Sequence, residues 1–135
     1  MFLGRRLRVL VVEDGGDVFN ATAAMLERLG CSVKGETQSL EALRAFSEEP
    51  DRFDLAILDN VVDGLTGLEL AKRFRRIRPS FPVMLCTGNV GKASPEEIEA
   101  AGIGWIIAKP LTSGELEGLI KDALIWAATS TRSRK

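Results

Sequence analysis

The chain contains no histidine, and this absence excludes several kinds of chemistry at once. Without an imidazole there is no Ser-His-Asp triad, no histidine metal ligand and no phosphohistidine carrier. The two cysteines cannot build a zinc site without histidine ligands. Any chemistry must therefore depend on carboxylates, hydroxyls, lysines or a hard metal ion bound through oxygen.

The chain also has no long apolar run. No stretch approaches the ~20 consecutive apolar residues of a membrane-spanning helix. The basic start and the apolar run 9–12 superficially resemble a signal peptide, but that run ends at Glu13. It is shorter than the ~7–15 apolar residues that such a signal needs. We therefore expect a cytoplasmic protein in which both cysteines are reduced.

The balance of charge excludes a further class of protein. The formal net charge is −1, from 18 basic and 19 acidic residues. A dedicated nucleic-acid binder carries a strong positive field, which this balance does not provide. The basic residues of the third predicted helix are therefore expected to be solvated. They are Lys72, Arg73, Arg75, Arg76 and Arg78.

Short apolar runs alternate with longer amphipathic stretches along the 135 residues, which predicts one domain of five strand-helix units. This alternation makes the strands parallel and places helices on both faces of the sheet. We predict a doubly wound α/β fold, a five-stranded parallel sheet in the flavodoxin-like order 2-1-3-4-5. The predicted strands are 7–12, 31–36, 55–58, 83–86 and 105–108.

Each helix is predicted to bury one face, and the domain is predicted to occupy residues 1–128. Residues 129–135 are expected to form a short, basic, disordered tail. In the predicted strand order Cys31 and Cys86 lie roughly 14 Å apart, beyond the reach of a disulfide. The residues predicted to face the core are Val18, Ala21, Thr22, Met25, Leu29, Leu40, Leu43, Phe46, Leu68, Ala71, Phe74, Ile77, Leu116, Leu119, Ile120, Ala123 and Ala127.

Polar residues follow four of the predicted strands. Each one alone would be an ordinary turn or cap residue, but the carboxyl ends of parallel strands meet at one edge, where ligands bind. Two carboxylates ~4 Å apart repel by about 4 kcal/mol at an effective dielectric constant of about 20, so protons or a cation must relieve the cluster. Oxygen ligands with open positions suit Mg²⁺, and lysine and threonine can hold phosphoryl oxygens. The residues are Glu13, Asp14, Asp59, Thr87 and Lys109.

From about Arg8 to Ala127 the chain resembles the receiver domain of two-component response regulators. Five motifs carry the resemblance, each at the expected strand or helix. They are Val-Val-Glu13-Asp14, Leu58-Asp59, Gly67-Leu68-Glu69-Leu70, Leu85-Cys86-Thr87-Gly88 and Ala108-Lys109-Pro110.

The resemblance implies a phosphoacceptor site that requires Mg²⁺. Asp59 would accept a phosphoryl group from the phosphohistidine of a histidine kinase or a histidine phosphotransfer protein. Asp14 and Asp59 would bind Mg²⁺ directly, together with the backbone carbonyl of Val61. Glu13 would act on the ion through water.

The resemblance also assigns the remaining polar residues and the partners. Thr87 and Lys109 would hold the phosphoryl oxygens. The protein would be a signalling phosphoacceptor and not an enzyme with a separate substrate, catalysing only its own phosphorylation and dephosphorylation. With no DNA-binding domain after the last helix, we expect output through an unidentified partner protein. In the family, the surface formed by helix four, strand five and helix five carries output or dimerisation, so the resemblance also implies a possible homodimer through this surface. A stand-alone regulator and a piece of a hybrid kinase both remain open.

Two positions depart from the family pattern. Val62-Asp63 stands where the family commonly has Met-Pro, and Ile106 stands where it usually has an aromatic residue whose swing is coupled to the threonine. We hypothesise that this aromatic switch is absent or altered here. The same departures motivate an alternative, a degenerate receiver-like interaction module that acts without phosphorylation.

Three other functions fit the sequence less well. A flavodoxin would need a hydroxyl-rich and glycine-rich loop after the first strand, whereas the acidic segment 13–17 would repel a flavin phosphate. The segment 88–94 has two residues between its glycines where a P-loop needs four. A phosphatase with an aspartate nucleophile would need an acid at Val61.

Overall fold

The computed structural model describes residues 6–13, 16–59, 64–87, 94–108 and 112–133. Within these residues, five strands alternate with five α-helices, and a short 3₁₀ turn follows the second helix. The strands are β1 (Leu7–Val12), β2 (Cys31–Glu36), β3 (Leu55–Asp59), β4 (Val83–Thr87) and β5 (Trp105–Ala108). The helices are α1 (Gly16–Arg28), α2 (Ser39–Glu48), α3 (Gly67–Ile77), α4 (Pro95–Ala100) and α5 (Ser113–Ser133), and the 3₁₀ turn is Pro50–Arg52.

The five strands form one parallel sheet in the order β2-β1-β3-β4-β5. This confirms the predicted fold class and strand order. All five residues of β3 are buried, as expected for a central strand covered on both faces. β2 lies at an edge, and Cys31 is the only one of its six residues that is buried.

Side chains of the sheet pack into two hydrophobic layers, one on each face. On one face Phe46 of α2 and Phe74 of α3 pack against the sheet with Ile98 of α4. On the other face Leu26 of α1 and Ile120 of α5 do so. Successive side chains of a strand point to opposite faces, so the central strands contribute to both layers, and their residues 9–12 and 55–58 are all apolar.

Among the predicted core residues whose burial the structure describes, three apolar ones are exposed. Leu40 is 58% exposed, because it lies about 120° from the buried Phe46 around the axis of α2. The polar Ser39 takes the inward position of that first turn and is fully buried. Ile77 is 40% exposed as the last residue of α3. Ala21 is also exposed, because the buried stripe of α1 runs through Thr22 and Leu26 instead.

The last helix is longer than the sequence predicted. α5 continues to Ser133, so residues 129–133, which were expected to lie in a disordered tail, are helical. The hydroxyl of Thr129 donates to the carbonyl of Ile125 one turn earlier. Across the described ranges, no helix combines the length and the apolar character needed to cross a membrane.

Two arginines of the α3 region are not simply solvated, which corrects the prediction for them. Arg78 is half-buried and donates to the carbonyls of Pro50 and Phe53 at 3.0 and 2.6 Å. Arg75 donates to the carbonyl of Gly102. Both guanidinium groups therefore satisfy backbone acceptors at loops. The other three basic residues of this region are exposed, as predicted.

Arg78→Ala is expected to lower the free energy of unfolding by about 1–3 kcal/mol, because two part-buried carbonyls lose their donor. Burial lowers the pKa of the Arg78 guanidinium, and the hydrogen bonds offset the cost of that burial. Urea unfolding measures the loss. Arg76→Ala in the last turn of α3 is the control and should change the free energy by less than about 0.5 kcal/mol. Equal losses in the two variants would contradict this prediction.

Both cysteines are buried thiols outside any disulfide, as predicted. Cys31 begins β2 and Cys86 lies in β4, with β1 and β3 between them. Burial raises the pKa of the Cys31 thiol to about 11. The carboxylate of Asp54 acts in the same direction.

The Cys31 thiol should make stability depend on pH in the alkaline range. A group whose pKa is higher in the folded than in the unfolded protein stabilises the fold below the unfolded pKa and loses that contribution as pH rises through the folded pKa. The free energy of unfolding should therefore fall more steeply in wild type than in Cys31→Ala between pH 9 and about 11. The chain has no tyrosine, and its lysines are common to both proteins. Parallel pH profiles would contradict the prediction.

Candidate functional site

Two acidic residues lie side by side at the carboxyl ends of β1 and β3. The register pairs Val12 with Leu58, so the next residues, Glu13 and Asp59, lie opposite each other on neighbouring strands. Parallel strands are about 4.8 Å apart, which sets the separation of the two backbones. The amide of Glu13 donates to the carbonyl of Glu36 at 3.1 Å, which extends the β1–β2 ladder and fixes Glu13 in place.

Both carboxyl groups are buried, with Glu13 5% and Asp59 8% exposed. Two carboxylates about 5 Å apart repel by about 3–4 kcal/mol at an effective dielectric constant of about 20. At the other end of the sheet the buried Asp54 pairs with the guanidinium of Arg8 at 3.3 Å and accepts from the Arg8 amide at 2.8 Å. The oxygen donors of Glu13 and Asp59 fit a hard divalent cation such as Mg²⁺.

The register of β3 with β4 brings the carboxyl end of β4 to the same edge of the sheet. Asp59 pairs with Cys86, and Thr87 follows as the last residue of β4. Thr87 in turn pairs with Ala108, the last residue of β5. The backbones of Glu13, Asp59 and Thr87 are thus brought to one edge of the sheet.

Three predicted site residues, Asp14, Val61 and Lys109, lie outside the described residues, as does the Val62-Asp63 pair. Their roles stay predictions. The described part of the chain therefore holds two of the three predicted carboxylates, and no group of three metal-ligating side chains occurs within it. Lys109 follows directly on Ala108 in the chain.

The helices after β3, β4 and β5 share one kind of start. In each case a hydroxyl residue accepts a hydrogen bond from the amide of a glutamate three positions later, which fixes where the helix begins. Each connection from the site edge is therefore fixed at its helical end. The pairs are Thr66 with Glu69 at 3.2 Å, Ser94 with Glu97 at 3.1 Å and Thr112 with Glu115 at 3.2 Å. The hydrogen bonds from Thr66 lower the pKa of Glu69.

A contact that was not predicted joins α2 to the connection that follows β3. Gly64 has a φ of +98°, and a Cβ placed on it would lie 2.6 Å from the hydroxyl oxygen of Ser39. The Asp63-Gly64 pair is a turn signal that could have predicted the positive φ. Its neighbour Ser39 is 25 positions earlier in the sequence, and no local pattern relates the two.

The comparisons with known proteins agree with this geometry. Residues 9–121 match the family model of the response regulator receiver domain. The chain belongs to this family. The match extends from within β1 into α5 and includes β2, β3, β4 and β5 in full. The protein is thus a receiver domain of two-component signalling.

Two curated relatives show how differently such a domain can be used. Response regulator receiver protein CpdR from Brucella abortus is 30% identical over 120 residues, which cover 89% of this chain and 98% of that protein. Transcription factor SKN7 from Chaetomium thermophilum is 26% identical over 121 residues, 90% of this chain. The match covers only 16% of SKN7, so most of that relative has no counterpart in this receiver domain.

Two solved structures share the fold. The CheY-like receiver domain protein from Methanospirillum hungatei is 28% identical with a TM-score of 0.80, covering 93% of this chain and 98% of that one. The receiver domain of sensor histidine kinase PA1611 from Pseudomonas aeruginosa is 24% identical with a TM-score of 0.80, covering 88% and 98%. That structure is described with a magnesium ion coordinated in its active-site cleft.

Proposed function

We propose that this receiver domain is a Mg²⁺-dependent phosphoacceptor. Asp59 takes a phosphoryl group from the phosphohistidine of a histidine kinase or a histidine phosphotransfer protein. One observation carries the proposal: Glu13 and Asp59 are buried side by side at the strand ends of a chain that belongs to the receiver family. Neighbouring buried carboxylates repel each other, and a bound divalent cation would relieve that repulsion.

Mg²⁺ would be held by Asp14 and Asp59 directly, with the backbone carbonyl of Val61, and by Glu13 through water. When bound, the ion balances the negative charge of the carboxylates and of the incoming phosphoryl oxygens. The magnesium described in the PA1611 receiver domain supports this choice of ion.

In the transfer step, a carboxylate oxygen of Asp59 forms a bond to phosphorus while the bond between phosphorus and the donor's imidazole nitrogen breaks. The electron pair of the broken bond stays on the imidazole of the donor, and the product on this chain is an acyl phosphate. Thr87 and Lys109 hold the phosphoryl oxygens through hydrogen bonds. Hydrolysis of the acyl phosphate returns the carboxylate, so the chain acts on no separate substrate.

Phosphorylation would change contacts with an output partner in the cytoplasm. The family face of α4, β5 and α5 is the proposed contact surface, and it could also form a homodimer. Ile106 of β5 is 39% exposed on the strand that belongs to this face. Ile106 replaces the usual aromatic residue, so the surface would respond to the phosphoryl group without the swing of a ring.

The test is the intact mass of the protein after incubation with acetyl phosphate, with and without Mg²⁺. We expect a single phosphoryl adduct that forms only when Mg²⁺ is present. If neither acetyl phosphate nor a phosphorylated kinase gives an adduct, the protein is the degenerate interaction module instead. Its partner binding would then be the same in wild type and Asp59→Asn.

A further inference from the structure

The ring of Phe19 in α1 packs against a glycine near the end of β2. A Cβ placed on Gly35 would overlap the Cζ and Cε1 atoms of that ring, so the ring occupies the space that a side chain at position 35 would need. Gly35 pairs with Val11 in the sheet and does not have a positive φ, so the backbone conformation itself does not require glycine. A glycine weakens an edge strand, and an aromatic ring that covers it offsets the missing side chain.

The same end of β2 holds Glu13 in place. Gly35 is followed by Glu36, whose backbone carbonyl accepts a hydrogen bond from the amide of Glu13 at 3.1 Å. Glu13 is 5% exposed, and the register places it opposite Asp59. The Phe19 ring is therefore connected to the acidic pair through one peptide bond and one hydrogen bond.

Phe19 also lies on the face of the sheet to which the two acidic residues belong. Val11 and Ile57 pack in the same hydrophobic layer as Phe19. Glu13 and Asp59 come two positions after them, and the side chains of a strand return to the same face at every second residue. The contact between α1 and β2 is thus made on the face that carries the acidic pair.

We propose that Phe19 and Gly35 are positioning residues for Glu13. The ring fixes the end of β2, and the Glu36 carbonyl at that end holds Glu13 beside Asp59. The affinity for Mg²⁺ therefore depends on the packing of Phe19 on Gly35, although neither residue is a ligand. This inference rests on the proposed function, in which Glu13 acts on Mg²⁺ through water.

Gly35→Ala tests the proposal, with Gly104→Ala as the matched control. The new methyl group at position 35 forces the ring and β2 apart, which removes the contact that fixes the strand end. Gly104 also has no positive φ, but a Cβ there would meet nothing within 4 Å. In metal-free protein, NMR should show hydrogen exchange of the Glu13 amide about tenfold faster in Gly35→Ala, because the strand end opens locally, and within about twofold of wild type in Gly104→Ala.

Mg²⁺ affinity is the second measurement. Isothermal titration calorimetry should give a dissociation constant about tenfold higher in Gly35→Ala, since groups that hold metal-binding residues in place typically contribute about 10–100-fold to affinity. The amide of Leu85 in β4 distinguishes local loosening from general instability. Its exchange should accelerate much less than that of Glu13. An acceleration of the same size at both amides would mean that the whole fold is destabilised, and it would overturn the positioning role.

A complementary substitution shows whether the ring transmits the effect. Leucine has no atoms that correspond to Cζ and Cε1 of phenylalanine, and alanine at position 35 adds no strain from a positive φ. The double variant Phe19→Leu/Gly35→Ala should therefore recover most of the Mg²⁺ affinity and of the Glu13 amide protection. Phe19→Ala removes the ring and leaves β2 unchanged. It should loosen Glu13 in the same way, and it is the test if Gly35→Ala does not fold.

The outcomes distinguish this inference from the proposed function. If wild type binds Mg²⁺ and forms the phosphoryl adduct while Gly35→Ala and Phe19→Ala keep the wild-type Mg²⁺ affinity, the positioning role is overturned and the proposed function stands. A loss in Gly35→Ala that the double variant does not recover also overturns the role assigned to Phe19. If wild type neither binds Mg²⁺ nor forms an adduct with any donor, both the proposed function and this inference fail.

Discussion

Asp59→Asn is expected to abolish the phosphoryl adduct that wild-type protein forms with acetyl phosphate and Mg²⁺. An amide is neutral and far less nucleophilic than a carboxylate, so the acyl phosphate cannot form at this position. Intact mass after incubation measures the result. The control is Asp122→Asn, which removes an exposed acid from α5 and should leave the adduct unchanged. An adduct of undiminished yield in Asp59→Asn would place the acceptor on another residue.

The same variant should also change stability in a direction opposite to that of most substitutions of buried residues. Asp59→Asn removes one of two neighbouring buried charges, so the repulsion from Glu13 is relieved and the unfolding free energy without Mg²⁺ should not fall. Mg²⁺ should then stabilise wild type and have less effect on the variant, since a ligand of the folded state adds stability according to its affinity. Thermal unfolding with and without Mg²⁺ checks both statements. Equal Mg²⁺ effects in the two proteins would contradict the metal site.

The arrangement of the site could be predicted to the extent that it follows from the sheet. Glu13 and Asp59 each come directly after an apolar run, 9–12 and 55–58, and parallel strands in the order 2-1-3 must bring those two positions together. The register confirms this, because Val12 pairs with Leu58. Burial of both carboxyl groups follows from the same cause, because the neighbouring strands on either side shield the ends of central strands.

Contacts made by the helices were harder to predict. Periodicity gives the direction of a helical face, but not where the neighbouring element ends, so Leu40 and Ile77 were placed in the core although both are exposed. The prediction for Arg78 was wrong because it relied on the charge of the residue alone. A basic residue was expected to be solvated, whereas two loop carbonyls without helical partners draw its guanidinium inward.

The contact between Ser39 and Gly64 could not be predicted for a different reason. Its tight fit depends on a positive φ and on the packing of α2, and neither has a sequence pattern that relates positions 39 and 64. A serine at the start of a helix normally indicates a cap exposed to solvent. Here Ser39 is fully buried, and the position only becomes informative once the tertiary structure is known.

The largest loss of stability is expected from Phe46→Ala. Phe46 is a fully buried residue of α2. The centroid of its ring lies 4.5 Å from those of both Phe74 and Phe81. These three rings join α2, α3 and the turn before β4 into one layer. Phe46 makes both of the shorter ring contacts, since Phe74 and Phe81 are 5.9 Å apart. Truncation at Phe46 therefore leaves a cavity between three elements.

A buried phenylalanine replaced by alanine costs about 3–5 kcal/mol, from lost burial together with the cavity that remains. Domains of this size are stable by about 5–15 kcal/mol, so the loss is a large part of the total. Urea unfolding followed by circular dichroism measures it. Leu40→Ala on the same helix is the control, and it should cost less than about 1 kcal/mol because Leu40 is 58% exposed. If the two variants lost similar amounts, Phe46 would not be part of the core.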